Sequence, residues 1–179
     1  APSCDILGVV KANAYGHGSA MIAKSLVDLG VQRFGVATVQ EGNLLRKEGI
    51  TQPILVMGGL IPAQIPELIH SQLTPVLTNE EVTLHLIEQL GLHPTPYPVH
   101  IKVDTGMGRL GLTPESVVSF LETSTFKKTL YIEGIMTHLS DADNPTSEYT
   151  RDQIKQFRAL ISQLTCLGYS MTMIHAANS

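Results

Sequence analysis

Cysteine is scarce in this 179-residue sequence. Cys4 and Cys166 are its two cysteines, and they have the spacing of neither a zinc site nor a disulfide framework, so both read as reduced thiols. Long apolar runs are missing as well. None approaches the roughly 20 residues that a membrane helix needs, and no basic-plus-apolar segment opens the chain, so the expected location is cytoplasmic. Nor is positive charge concentrated: the net charge is −4 and the 12 Lys and Arg are dispersed. With no basic stripe to meet phosphate backbones, nucleic acid is not an expected partner. His17, His70, His85 and His93 show no ligand spacing such as H-E-x-x-H, and no metal is expected.

What is present is a globular balance, 43% apolar and 16% charged, in a length suited to one domain over residues 1–179. Seven short β-rich runs recur at residues 5–10, 34–38, 54–57, 74–77, 99–103, 131–137 and 171–175. Between them lie helical patterns such as Ala20, Ala23, Leu26, Val27 and Val82, Leu86, Leu90, spaced by three and four. Gly30, Gly49, Gly91 and Gly168 stand where left-handed caps would end helices, and Thr113, Pro114 and Glu115 where a capped helix would begin.

Regular strand-helix alternation demands a parallel sheet, open and doubly wound or closed as a barrel. Polar residues gather at the C-terminal ends of four strands, at residues 11–15, 104–106, 137–138 and 175–179. In a closed barrel those ends meet at one mouth, which is where such enzymes hold their sites. The expected fold class is therefore α/β, a TIM-type (β/α)8 barrel that is incomplete, with about seven of its eight strand-helix units present.

Two segments carry candidate chemistry. Val9-Val10-Lys11-Ala12-Asn13-Ala14-Tyr15-Gly16-His17-Gly18 sets a lysine at the end of an apolar strand. A lysine desolvated there gives up its proton more readily and becomes a Schiff-base nucleophile, although an ordinary strand-end lysine fits the same residues. In Val99-His100-Ile101-Lys102-Val103-Asp104-Thr105-Gly106-Met107-Gly108-Arg109-Leu110-Gly111, alternation puts His100, Lys102 and Asp104 on one face, inward in a barrel. Gly106, Gly108 and Gly111 match G-x-G-x-x-G, but the helix start falls after the third glycine, at Thr113-Pro114, and no acid follows at the ribose position. The glycines read better as a tight loop presenting Arg109 to a carboxylate or phenolate oxygen, with a structural arginine as the alternative. His138 ends the sixth strand, as either a catalyst or a packed core histidine. Asn178 and Ser179 at the last strand end suit either a phosphate or an ordinary turn.

Together these segments, in this order and separation, resemble the alanine racemases of the pyridoxal 5′-phosphate (PLP) barrel group along essentially the whole chain. The resemblance implies that Lys11 forms the imine with PLP and serves as one of two catalytic bases. It further implies that Tyr15 and Ser179 contact the phosphate, that Asn178 lies in the cofactor pocket and that His138 lies beside the pyridine ring. Arg109 would meet the substrate carboxylate and the cofactor's phenolic oxygen, while Lys102 would be a carbamylation candidate able to hold Arg109. The implied reaction interconverts L-alanine and D-alanine, supplying D-alanine for cell-wall peptidoglycan, in a cytoplasmic homodimer. The family's opposite base is a tyrosine of a C-terminal β domain contributed across the dimer, and an eighth-strand arginine faces the pyridine nitrogen. Both lie outside these residues, so the chain is expected to be a partial barrel domain that is inactive alone. A serine or broad-specificity amino-acid racemase, a diamino-acid decarboxylase of the same barrel type and a non-catalytic PLP-binding barrel protein are the alternatives. The decarboxylases have different motifs, and the carrier should lack the Arg109 loop.

Overall fold

A computed structural model describes residues 4–91, 96–122 and 128–176. The chain forms two compact units, residues 1–76 and 77–179.

In the first unit, β1 (Leu7–Val9), β2 (Arg33–Val36), β3 (Ile54–Val56) and β4 (Thr74–Leu77) pair in sequence order, all parallel. Gly8 lies opposite Phe34, and Phe34 opposite Ile54. The helices between them are α1 (Ser19–Asp28), α2 (Val39–Lys47) and α3 (Ile65–His70), the last entered through a 3-10 turn at Pro62–Gln64. Every residue of β3 and β4 is buried, as expected of parallel strands covered on both faces. Phe34, Leu45, Ile54, Leu55, Ile65 and Leu68 have no exposure, and each such side chain contributes about 1.5–3 kcal/mol of apolar burial.

The second unit holds α4 (Glu80–Leu90), β5 (Tyr97–Lys102), α5 (Pro114–Leu121), β6 (Leu130–Met136), α6 (Glu148–Cys166) and β7 (Met173–His175). Here β5 pairs with β6 and β6 with β7, again parallel. The β5–β6 register slips between Val99 and His100, so that Val99 faces Ile132 but His100 faces Gly134. Helix α6 buries Gln153, Phe157, Leu160 and Leu164, the spacing of one helical face. Among the described residues no helix is long and apolar enough to cross a membrane.

The expected strands form with small changes at their ends. β1 is shorter than 5–10, β5 begins two residues earlier than 99, and β7 begins at Met173. Thr38, Asn79, Thr113 and Ser147 cap four helices through side-chain oxygens that accept from Glu41, Val82, Ser116 and Thr150 N–H groups. Gly30, Gly49 and Gly168 have φ near +89° and follow helix ends as expected. Gly91 differs: its φ of 50° and ψ of −116° lie outside the left-handed helical well, so it turns the chain without forming the usual cap. Because neighbours are parallel, the C-terminal strand ends of each unit share one edge.

Candidate functional site

At the C-terminal edge of β1 the chain enters an unusual turn. Ala12, Asn13 and Ala14 have φ of 50–54° and ψ of 45–49°, and Tyr15 has φ 53°. Four consecutive residues with a Cβ thus wind left-handed, at roughly 1–2 kcal/mol each. The turn has its own bonds: Ala14 N–H donates to the Val10 carbonyl (2.9 Å), Gly16 N–H to that of Ala12 (3.1 Å) and Gly18 N–H to that of Asn13 (2.9 Å). The Asn13 side-chain oxygen accepts from Ser19 N–H at 2.9 Å, tying the turn to the start of α1. Ala12 N–H donates at 2.7 Å to the carboxylate of Glu41. Lys11 stands at the head of this turn, and its Nζ lies 5.9 Å from the centroid of the Tyr15 ring, which is half exposed. The first unit therefore brings Lys11 and Tyr15 together.

In the second unit, the loop after β5 closes on itself. Leu112 N–H donates to the Lys102 carbonyl (2.9 Å) and Asp104 N–H to that of Leu112 (2.8 Å). Inside the loop the Asp104 carboxylate accepts from the N–H groups of Gly106 (2.9 Å), Gly108 (3.1 Å) and Arg109 (3.2 Å). Burial pushes this carboxyl's pKa up, but the N–H groups of Gly106, Gly108, Arg109 and Met107 together outweigh it and leave the pKa below its ordinary 3.8. Tyr149 donates its hydroxyl to the Gly106 carbonyl at 2.6 Å, where a Cβ on Gly106 would collide with it. Arg109, held in this loop through its N–H on Asp104, is exposed.

Gln153, 1% exposed, joins that strand end to the next. Its amide nitrogen donates to Thr105 Oγ1 (3.3 Å) and to the His138 carbonyl (3.1 Å), while its oxygen accepts from the backbone and side chain of Ser140 (both 3.0 Å). Thr105 and Thr137 hydroxyls are 2.8 Å apart, and Thr137 also donates to the Val103 carbonyl. The ends of β5 and β6, which carry Arg109 and His138, are thus fastened by one buried polar network with its groups satisfied.

A second polar group lies along β5, β6 and β7. His100 is fully buried, with Nδ1 2.9 Å from His175 Nε2 and Nε2 3.3 Å from Glu133 Oε2. A carboxylate only accepts, so His100 Nε2 directs its hydrogen to Glu133, and the two rings share the other bond. A Cβ on Gly134 would sit 2.4 Å from the His100 ring, so glycine is what admits the imidazole. Burial first, then the charges of His100 and Lys102, push His175 down to about 4 from an ordinary 6.5. Its folded pKa is the lower one. Stability from the neutral ring is therefore complete above pH 6.5 and is lost as the pH falls through about 4. Between those values the unfolding free energy is expected to drop by about 1–3 kcal/mol more in the parent than in His175→Asn, read from urea midpoints. Parallel pH slopes would show that the ring is not held neutral.

Of the residues singled out from sequence, Lys11 and Tyr15 lie in the first unit, and Lys102, Arg109 and His138 in the second. Lys102 is buried at 7% exposure and His138 is half-buried. Asn178 and Ser179 fall outside the described residues. Sequence reasoning did not single out Glu41, Glu133, Gln153 or His175 as site residues. Thr38-x-x-Glu41 has capping-box spacing and would have marked Glu41 as a helix-start residue. Nothing local marks Gln153 or the His100–His175 contact.

The sequence matches the family model described as "Alanine racemase, N-terminal domain" over residues 1–179. It is 40% identical over 174 residues to an alanine racemase of Halothermothrix orenii, covering 97% of this chain and 46% of that protein. The structure resembles alanine racemase of Clostridium difficile 630 with a TM-score of 0.92 at 33% identity, over 100% of this chain and 47% of that one. It also resembles a histidine racemase of Leuconostoc mesenteroides, with a TM-score of 0.86 at 30% identity over 97% of this chain and 46% of that one. The chain thus spans about half the length of the curated relatives it matches. The fold is the one shared with these structures: α/β, of the TIM-barrel type, with seven strands among the described residues, each parallel to the neighbours it pairs with in its unit. Motifs, strand order and likeness over the full 179 residues place the chain in the alanine racemase family, as its N-terminal domain.

Proposed function

We propose that the protein to which this chain belongs interconverts L-alanine and D-alanine with PLP held at Lys11. The observation that carries this reading is a primary amine set at a strand's C-terminal end by a four-residue left-handed turn, with a phenol beside it. Strain of that kind is kept where surrounding structure fixes it, and such places are commonly functional. The donor set fits the cofactor: an amine to condense with its aldehyde, the Tyr15 phenol for its phosphate, an imidazole at His138 for its ring and the Arg109 guanidinium for an anionic oxygen. When bound, PLP supplies an electron sink that acidifies the α-proton of an amino acid.

Within this reading Lys11 removes or returns that proton on one face, and Arg109 holds the substrate carboxylate. In the same reading Ser179 joins Tyr15 in serving the phosphate, and Asn178 belongs to the cofactor pocket. Lys102 carries a carbamate, which relieves the cost of a buried ammonium, supplies an anion for Arg109 and leaves burial, the first cause, rather than a Lys102 cation to keep the His175 pKa low. Labelled carbon from bicarbonate should appear at Lys102 by NMR, and an unmodified ammonium there sinks that assignment. The opposite face is served by a residue of the rest of the protein, in a cytoplasmic homodimer that feeds D-alanine to peptidoglycan synthesis.

The likeness to a histidine racemase favours one second reading, racemisation of another amino acid. The full-length protein, stripped of PLP and then reloaded, is offered L-alanine, L-serine and L-histidine in turn. D-alanine is expected to form about tenfold faster than either other product, a margin that a side-chain pocket readily supplies. Faster turnover of histidine or serine replaces the substrate assignment, and no PLP-dependent product from any of them overturns the reading.

A further inference from the structure

Glu41 does more than cap a helix. As the third residue of α2 it completes a capping box with Thr38, accepting from Thr38 N–H at 3.3 Å through Oε2. That accounts for one bond. The same Oε2 also accepts from Ala37 N–H at 2.7 Å, and Oε1 accepts from Ala12 N–H at 2.7 Å, 29 residues away. Ala12 follows Lys11 directly and is the first left-handed residue of the turn. Like the opening N–H groups of any helical turn, its N–H cannot bond within the turn and needs an outside acceptor. A carboxylate is the acceptor whose two oxygens can serve two strand ends at once. β1 and β2 are otherwise joined here by the ladder, which ends with Val10 N–H on the Gly35 carbonyl. Past that bond, the Glu41 carboxylate ties the Lys11 turn to the end of β2.

We propose that Glu41 is a positioning residue for Lys11: its carboxylate clamps the left-handed turn at Ala12 and so fixes where the Lys11 amine is presented. The assignment rests on Lys11 being the cofactor lysine. Two variants of the full-length protein separate the clamp from the cap. Glu41→Ala removes both functions. Thr38→Ala removes the side-chain bond to Glu41 N–H but leaves the Glu41 carboxylate on Ala12.

Three quantities are read: amide hydrogen exchange of residues 11–15 in the PLP-free protein, the rate of borohydride-trapped PLP capture at Lys11, and kcat and KM for alanine. In Glu41→Ala, exchange at 11–15 is expected to rise about tenfold or more and capture to slow. kcat is expected to fall about tenfold or more with KM within about threefold, because a displaced catalytic group costs rate before binding. Thr38→Ala is expected to lower the melting temperature while exchange at 11–15, capture and kcat stay within about twofold. Wild-type exchange at 11–15 in Glu41→Ala, or equal kcat losses in both variants, overturns the proposal. Should Glu41→Ala not fold, Glu41→Gln answers the same question, since its amide nitrogen donates and cannot accept from one of the two strand ends. Absence of PLP capture at Lys11 in the parent overturns the cofactor reading and this assignment with it. Capture in the parent and unchanged behaviour of Glu41→Ala overturns the clamp alone.

Discussion

Lys11→Ala is expected to abolish the borohydride-trapped PLP adduct and to lower kcat of the full-length protein by about 10³-fold or more. Two losses combine. On the proposed function, the substitution removes the amine that would anchor the cofactor and also the base for one face of the α-carbon, which by itself is typically worth about 10²–10⁴-fold. No substitute stands nearby on the same element, because residues 12–18 contain no other lysine. The fold should tolerate the change. Lys11 is only half-buried, and the bonds of the left-handed turn run through the backbone and through the Asn13, His17 and Glu41 side chains. Alanine is no worse than lysine at the head of that turn. Mass spectrometry of the reduced, digested protein locates the adduct, and the melting temperature shows whether the fold is kept. An adduct on Lys24 or Lys102 in the parent would refute the assignment. A small amine such as methylamine, added to Lys11→Ala, should restore part of the rate if the lost group is the base.

The strands were legible because parallel, doubly covered segments leave plain apolar runs: residues 54–57 and 74–77 contain β3 and β4 with at most one residue to spare. Candidate site residues were legible where reactive side chains sit in short motifs, at Lys11, Tyr15, Lys102 and Arg109. Conformation was not legible where the backbone departs from residue preference. Glycine is the usual mark of positive φ, yet the turn after Lys11 runs through Ala12, Asn13, Ala14 and Tyr15 before reaching Gly16. Asparagine alone of these four tolerates that region well. Contacts between distant residues were equally hidden. His100 and His175 are 75 residues apart, and alternation on β5 says only that His100 shares a face with Lys102, not which ring it meets. Gly134 likewise reads as an ordinary strand residue until the register slip puts the His100 imidazole over it. The same holds for Gln153, whose position on the buried face of α6 is one that helical periodicity would assign to an apolar side chain.

Among the three glycines of the loop that carries Arg109, substitution is expected to divide sharply by what surrounds each one. Gly108 has φ +69° and nothing within 4 Å of an added Cβ. Gly108→Ala therefore bears left-handed strain alone, about 1–2 kcal/mol. Gly111 has φ +127°, and its Cβ would lie 2.8 Å from Asp104 N and 2.9 Å from both the carbonyl oxygen and Cγ of Lys102. Two of those three atoms are backbone, held by the bonds that close the loop, Leu112 N–H to the Lys102 carbonyl and Asp104 N–H to that of Leu112. Neither can yield without opening the loop. Gly111→Ala should thus lose about 3–4 kcal/mol of stability, from a forbidden backbone region together with a clash in close-packed surroundings. The consequence for activity is larger than for Gly108→Ala. Opening the closure releases Asp104, whose carboxylate holds the N–H groups of Gly106, Gly108 and Arg109. An arginine displaced by about 1 Å orients its partner poorly, and errors of that size can cost about a hundredfold in rate. Urea midpoints for both variants, with kcat/KM for alanine measured at a temperature where each remains folded, separate the two effects. Gly108→Ala should keep kcat/KM within about fivefold of the parent, while Gly111→Ala falls by about a hundredfold. Equal losses in the two variants would mean that the loop's closure does not set the position of Arg109, and a Gly111→Ala protein with parent-like stability would show that Lys102 and Asp104 can move apart at little cost.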